Sequence, residues 1–317
     1  MKHMPTTKQD RYRGVLVGVL AGDALGAPYE TWDAKKVEED FTRRGGLTTF
    51  EYPDPWEQDG TFPKGRPTDD SDHTAALAQS LVAQNGLNEE DLFYRLRTVV
   101  FDHKSPLWEG KAVGAGKTTR NALRPLTWEE SSALSTDGAF PSNGSLMRSA
   151  PLALFLGAHI SEQSEIIRRA SSVTHRHPIA GDCCVAYVTI LGALLEGKEL
   201  TEGIEKAKTL VHEKEVLGIL RNFETQPRDP EVWPGRGAAV LTLHVALWAF
   251  VNARDFREGI AKTVAFGGDT DTYGAVAGGL LGAYFGIEGI PSEWREVLLG
   301  REIMESLADS LYEISSR

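Results

Sequence analysis

The chain has 317 residues, 41% of them hydrophobic and 25% charged, which is enough apolar material for a sizeable core and excludes a disordered chain. A formal net charge of −11 excludes a protein that tracks a nucleic-acid backbone, since phosphate binding needs a basic footprint. The only cysteines, Cys183 and Cys184, are adjacent and supply no disulfide framework, which fits a reducing cytoplasm.

Residues 1–10 carry no periodicity and are expected to be disordered, leaving 11–317 as a single domain. No export signal is expected, because the apolar run Val15 to Leu20 soon meets Asp23. Arg13 to Leu25 reads as a helix of small and aliphatic residues. Its glycines, Gly14, Gly18, Gly22 and Gly26, recur every fourth position and so share one face, despite about 1 kcal/mol of helix propensity lost at each. Gly274, Gly278, Gly282 and Gly286 repeat the pattern near the other end. Rows spaced by four are packing ridges, so two buried central helices in close backbone contact are expected.

Between them, helical windows alternate with loops rich in Pro, Gly and Asp. The windows are Asp72 to Ala83, Asn88 to Asp102, Gly116 to Leu123, Leu146 to Leu156, Ser161 to Val173, Ile179 to Leu195, Glu202 to Phe223, Ala238 to Val251 and Phe256 to Thr263. Strand-like alternation is scarce. Phe41 to Thr68 reads as a long loop of the kind that is often functional. The longest uncharged stretch, Thr272 to Ile287, is short and glycine-rich for a membrane span, so a buried helix and no membrane association are expected.

Chemistry concentrates in two short acidic motifs. Thr68-Asp69-Asp70 and Asp269-Thr270-Asp271-Thr272 each stand immediately before a helix, and either one alone is explained by capping and the helix dipole. Together they offer four carboxylates and two hydroxyls, a set of hard oxygen donors suited to Mg2+, Mn2+ or Ca2+, with no convergent Cys or His set for zinc. Four negative charges balance two divalent cations and repel one another without them. A pair of such ions activates water and orients hydroxyls, which points to hydrolysis.

These motifs, with Ser71, with Asn143-Gly144-Ser145-Leu146-Met147-Arg148 and with Gly267-Gly268 before Asp269, resemble the signatures of the ADP-ribosylglycohydrolase superfamily. The likeness runs from about Tyr12 to about Trp294 and takes in Gly22 to Gly26, Glu30, Thr174-His175 and Thr242 to Phe250. It implies an all-α fold, a compact single-domain orthogonal helical bundle with a dinuclear metal cleft. It also implies two Mg2+ or Mn2+ ions and cleavage of the glycosidic bond joining ADP-ribose to an acceptor. By motif, Thr68, Asp69, Asp70, Asp269, Asp271 and Thr272 would hold the metals. Glu30, Asp69, Asp70 and Asp269 would be catalytic, with Glu30 on a mobile loop, serving proton transfer or gating. Substrate contacts would come from Asn143, Gly144, Ser145, Arg148 and His175, from the glycine turn Gly114 and Gly116, and from Phe140 against adenine. Arg148 is equally well read as an anchor of its loop. Asp23 is expected to brace the site by hydrogen bonds.

One decoy and two departures from the family pattern bear on this reading. Gly116-Lys117-Thr118 ends like a phosphate-binding P-loop, but Lys111 stands where that motif needs its first glycine. Tyr273 stands where relatives usually carry Ile, which implies altered packing under the metals, and Asp72 is read as a first-turn helix residue.

The expected partners are an ADP-ribosylated protein or small-molecule acceptor, with ADP-ribose as product and the chain a monomer. Arginine-linked substrates are the default. Acceptor choice is assigned to the loops at Phe41 to Thr68, Trp108 to Lys117 and Asn222 to Gly237. Two other readings are open at this stage: an inactive, crystallin-like member that binds ADP-ribose or serves as structure, and a metal-dependent phosphohydrolase.

Overall fold

From Gly14 to Gly26 every residue of the first helix is buried, so it is wrapped on all sides rather than laid on a surface. This is α1 (Lys8–Gly26), in a computed structural model that describes residues 6–47, 63–134, 139–159, 163–229 and 235–316. Thr7 caps it through a reciprocal box with Asp10, so the chain is helical from Lys8, earlier than the expected disordered segment 1–10 allows. Residues 1–5 lie outside the described residues.

The remaining helices are α2 (Ala34–Arg44), α3 (Asp69–Gln84), α4 (Glu89–Phe101), α5 (Lys117–Leu123), α6 (Trp128–Ser132), α7 (Ala150–Leu156), α8 (Ser164–Ser172), α9 (Pro178–Leu195), α10 (Leu200–Lys208), α11 (Lys214–Asn222), α12 (Ala239–Val251), α13 (Phe256–Phe266), α14 (Thr270–Phe285), α15 (Ser292–Arg295) and α16 (Arg301–Ser315). No strand occurs among the described residues, which carry only two isolated bridges. The all-α, single-domain expectation holds. α9 is the most apolar long helix, and most of it is buried inside the fold.

α1 and α14 run antiparallel through the centre in glycine-to-glycine register. A Cβ at Gly14, Gly18 or Gly22 would stand 2.3, 2.2 and 1.9 Å from the carbonyl oxygens of Gly282, Gly278 and Gly274. The converse Cβ atoms at Gly274, Gly278 and Gly282 would meet Gly22, Gly18 and Gly14 at 2.3, 2.0 and 1.9 Å. Backbone therefore touches backbone along the whole ridge, as the spacing of four requires. At the end of the row Gly26 meets Thr270, whose hydroxyl donates to the Gly26 carbonyl at 2.8 Å. The antiparallel register sets the C-terminal end of α1, with Asp23 and Glu30, beside the N-terminal end of α14, with Asp269 and Asp271.

Two sequence expectations need correction. Glu202 to Phe223 is two helices, α10 and α11, because buried Asp182 accepts from the backbone N–H of His212 and Glu213 at 2.5 and 2.8 Å. Arg168 also donates to the Leu210 carbonyl at 2.7 Å. These tertiary bonds take the backbone groups a continuous helix would pair with itself. The expected loop from Phe41 begins late, since α2 runs to Arg44. Residues 48–62 of that loop and 230–234 of the loop before α12 lie outside the described residues.

Candidate active site

Two helix N-termini converge at the end of the glycine seam. Thr68 is the N-cap of α3 and its hydroxyl accepts from the Asp70 N–H, the capping role expected of that motif; Asp269 holds the N-cap position of α14 without a side-chain capping bond. Asp23, fully buried in α1, accepts from the Thr68 N–H at 3.0 Å and hydroxyl at 2.8 Å, and from the Ser71 N–H at 3.0 Å and hydroxyl at 2.5 Å. It braces the start of α3 with the donors that α3 cannot pair internally. Burial pushes the Asp23 carboxyl up to about 6, and these four donors restrain the rise.

Carboxylate oxygens of Glu30, Asp269 and Asp271 lie within 4.8 Å of one another. Asp70 joins this group to the first motif, since the hydroxyls of Thr272 and Thr68 donate to its Oδ2 at 3.4 and 3.3 Å. Its other oxygen, Oδ1, is buried and has no hydrogen-bond partner among the described residues. Asn143 donates to Asp269 Oδ2 at 2.7 Å and to the Thr242 hydroxyl at 2.9 Å. Asp69 stands beside Gly114, where a Cβ would lie 2.1 Å from its Oδ1 and where the backbone has φ +108°. Both facts require glycine at that position.

Crowding without counter-charge shows in the protonation of these groups. Burial, then neighbouring carboxylates, pushes Asp69, Asp70 and Asp271 well above the usual carboxylate range, and burial raises Asp269. Glu30 is exposed as a residue, yet its carboxylate reaches in among buried acids. Loss of hydration, then Asp269 and Asp23, takes it up to about 7. An all-oxygen donor set, mutual repulsion and an orphaned buried oxygen on Asp70 together fit hard divalent cations.

The acids form one wall of a cavity of about 410 Å3. Of the sequence-expected residues, Glu30, Asp69, Asp70, Asp269, Asp271, Thr272, Gly114, Gly116, Phe140, Asn143, Gly144 and His175 line it. Thr68 lies just behind, hydrogen-bonded to Asp23.

Arg148 and Ser145 are corrections, because neither lines the cavity. Arg148 is fully buried, with its guanidinium donating to the Gly144 carbonyl at 2.6 Å and the Thr174 hydroxyl at 2.8 Å. It anchors the Gly144 loop from behind through neutral acceptors, and burial lowers it to about 10. The Ser145 hydroxyl pairs with that of Ser171 at 2.8 Å and accepts from the Cys184 thiol at 3.5 Å. His175 faces the cavity as a neutral ring, pressed well below its ordinary pKa by burial and then by Arg148. Its Nδ1 pairs with the Thr174 hydroxyl at 2.7 Å, and its ring packs against Gly144. His73, one turn below Asp69, is held down to about 3 by burial and then by Arg148, so the 3.9 Å approach of its Nδ1 to Asp69 is not an ion pair.

The cavity also takes in Thr118, Thr119 and Met147, which the sequence reading did not place there, and Lys117 and Gly237, which end two of the loops it assigned to acceptor choice. Lys117 is the only lysine or arginine among the described lining residues. The Gly116-Lys117-Thr118 run was a usable signal for it, since a phosphate-binding lysine needs neither a P-loop nor a strand.

The ADP-ribosylglycohydrolase family model matches the chain over residues 4–317. The chain is 27% identical to ADP-ribosyl-(dinitrogen reductase) glycohydrolase of Rhodospirillum rubrum, covering 90% of this chain and 89% of that one. It is 28% identical to ADP-ribosylarginine hydrolase Tri1 of Pseudomonas putida (strain GB-1), covering 98% and 80%. The solved structure of an ADP-ribosylglycohydrolase-related protein complex superposes with a TM-score of 0.79 at 32% identity, covering 97% of this chain and 99% of that one.

Proposed function

Because the chain belongs to the ADP-ribosylglycohydrolase family, we propose that it is a divalent-metal-dependent hydrolase that releases ADP-ribose from an arginine-linked acceptor. One observation carries this reading: carboxylates and hydroxyls from two helix N-termini, far apart in sequence, meet on one wall of a single cavity. The arginine linkage is supported by the name of the Pseudomonas relative, an ADP-ribosylarginine hydrolase.

Two Mg2+ or Mn2+ ions would be held by Thr68, Asp69, Asp70, Asp269, Asp271 and Thr272 and, when bound, supply charge neutralisation and Lewis-acid polarisation of ribose oxygens. Glu30, whose carboxylate lies against Asp269 and Asp271 at the cavity edge, takes the proton of the attacking water as the water oxygen bonds to the anomeric carbon and the glycosidic C–N bond breaks, and that proton passes to the departing guanidine nitrogen. Asn143 keeps Asp269 in register by donating to its Oδ2. The Gly144 loop, held from behind by Arg148, offers backbone to the diphosphate, and Lys117 supplies a positive side chain in an acidic cavity. Phe140, 36% exposed and lining the cavity, offers a ring face to the adenine.

The test is product analysis on a panel of arginine-, serine- and nucleobase-linked ADP-ribosyl acceptors, with and without chelator. Intact ADP-ribose should appear from the arginine-linked substrate, stop on chelation and return with Mg2+ or Mn2+. Asp269→Ala should lose at least the ~10–100-fold that removal of even an outer partner of a metal site costs. Binding of ADP-ribose without turnover, or release of AMP or phosphate, would overturn the reading.

A further inference from the structure

Tyr273 is fully buried on α14, one residue past Thr272, and its hydroxyl donates to the Arg236 carbonyl at 2.6 Å. The ring stands edge-on to Phe266 at 5.8 Å, so the hydroxyl is aimed by packing. Arg236 lies in a short segment, residues 235–239, that is stitched to the loop 141–143 lining the same cavity. The Gly237 carbonyl accepts from the Asn143 N–H at 3.0 Å, residues Ser142 and Ala238 form an antiparallel bridge, and Ala239 N–H donates to the Pro141 carbonyl at 2.9 Å. Asn143 then returns to α14 through its 2.7 Å bond to Asp269. The ring of contacts is closed: α14 to Tyr273, to Arg236 and Gly237, to Asn143, and back to α14 four residues before Tyr273.

We propose that the Tyr273 hydroxyl is a positioning group that latches the 235–239 segment, and through it fixes Asn143 and the cavity wall against Asp269. The inference rests on the proposed ADP-ribose site and adds a residue whose side chain lies outside the cavity lining, one turn past Asp269 on α14. Geometry leaves little slack. Gly268 accommodates the Arg236 side chain so closely that a Cβ there would lie 2.9 Å from Arg236 Cδ, and the guanidinium is held by Asp229 at 2.9 and 2.6 Å. The Arg236 side chain is thus fastened on one side and its carbonyl on the other. Removing the hydroxyl frees the carbonyl, and the segment bearing Gly237 gains room to move away from Asn143.

Tyr273→Phe deletes only that oxygen and keeps the ring packing. Losing one such buried hydrogen bond corresponds to about a three- to tenfold effect. Calorimetry with ADP-ribose should show Kd weakened by that factor, and KM should rise with kcat nearly constant. Amide hydrogen exchange should accelerate at residues 141–145 and 235–239, while α9 stays protected. In an Asn143→Ala background, Tyr273→Phe should change ADP-ribose affinity no further, because the route through Asn143 is already cut. A variant whose exchange at 141–145 matches wild type would overturn the latch alone. Faster exchange with Kd and KM within twofold of wild type would reduce Tyr273 to a structural residue. Absence of ADP-ribose affinity in the wild-type protein would overturn the proposed activity itself, an outcome distinct from both.

Discussion

Replacing Gly22 by alanine places a Cβ 1.9 Å from the Gly274 carbonyl oxygen and 2.3 Å from its carbon, with backbone rather than a yielding side chain on the other side. Ordinary contact begins near 3.4 Å, so α1 and α14 must part by about 1.5 Å. A radial gap of 0.5–1 Å already forfeits about a quarter to a half of a dispersion well, and here the gap opens along a whole helix seam. Overpacking of a core costs about 1–3 kcal/mol or more, and the alanine returns about 1 kcal/mol of helix propensity. With no flexible neighbour to absorb the clash, the gross cost should pass the top of that range, at about 4 kcal/mol, and the net loss should be about 3 kcal/mol. For a chain of this length that is roughly 5 °C of Tm. Gly218→Ala is the matched control: Gly218 lies inside α11, a Cβ there meets nothing within 4 Å, and the same propensity gain should raise stability by about 0.5–1 kcal/mol. Thermal denaturation of both variants by calorimetry decides the matter. If Gly22→Ala melted at or above the wild-type temperature, the account of the seam as backbone contact would be wrong.

The acids lining the cavity, with the buried Asp23 and Asp72 beside them on α1 and α3, predict an unusual pH dependence without metal. Asp72 at about 7, Asp23 at about 6, and Asp69, Asp70 and Asp271 well above the ordinary range all have folded-state pKa values raised over those of the unfolded chain. Their stabilising contribution is complete below about pH 4 and is lost as pH rises through 6 and 7. Chelated protein should therefore melt lower at pH 8 than at pH 5.5, and the rise in Tm on adding Mg2+ or Mn2+ should be larger at pH 8. A flat or opposite profile would refute the crowding argument. Asp23→Asn should destabilise by about 2–4 kcal/mol in urea unfolding, because an amide oxygen cannot replace two carboxylate oxygens facing four donors. Arg148→Lys keeps the charge but cannot span the Gly144 carbonyl and Thr174 hydroxyl together. Loss of about 2 kcal/mol with weaker ADP-ribose binding is expected, whereas a role in direct substrate contact would weaken binding without moving Tm.

Local, periodic features of this protein are legible from the chain alone. Two glycine rows at a spacing of four are ridges whatever the surroundings, and they announced the central pair of helices. Thr68 and Asp269 stand before apolar helical windows and mark where both helices start, Thr68 with a capping bond and Asp269 without one. Asp23 has a single plausible occupation inside a helix of small residues, which is to accept hydrogen bonds. Tertiary structure decided everything that depends on which partner a group finds. Glu202 to Phe223 has helical periodicity throughout, and only Asp182 and Arg168, arriving from α8 and α9, claim the backbone groups that break it. Arg148 sits in a motif that resembles a substrate loop, yet its length lets it reach behind that loop, a direction no spacing encodes. Lys117 looked like the remnant of an unrelated motif until the cavity closed around it. The acidic motifs combine both levels: each carries its capping chemistry in its own residues, but the meeting of Thr272 with Asp70 exists only because the antiparallel glycine seam brings two helix ends to one place.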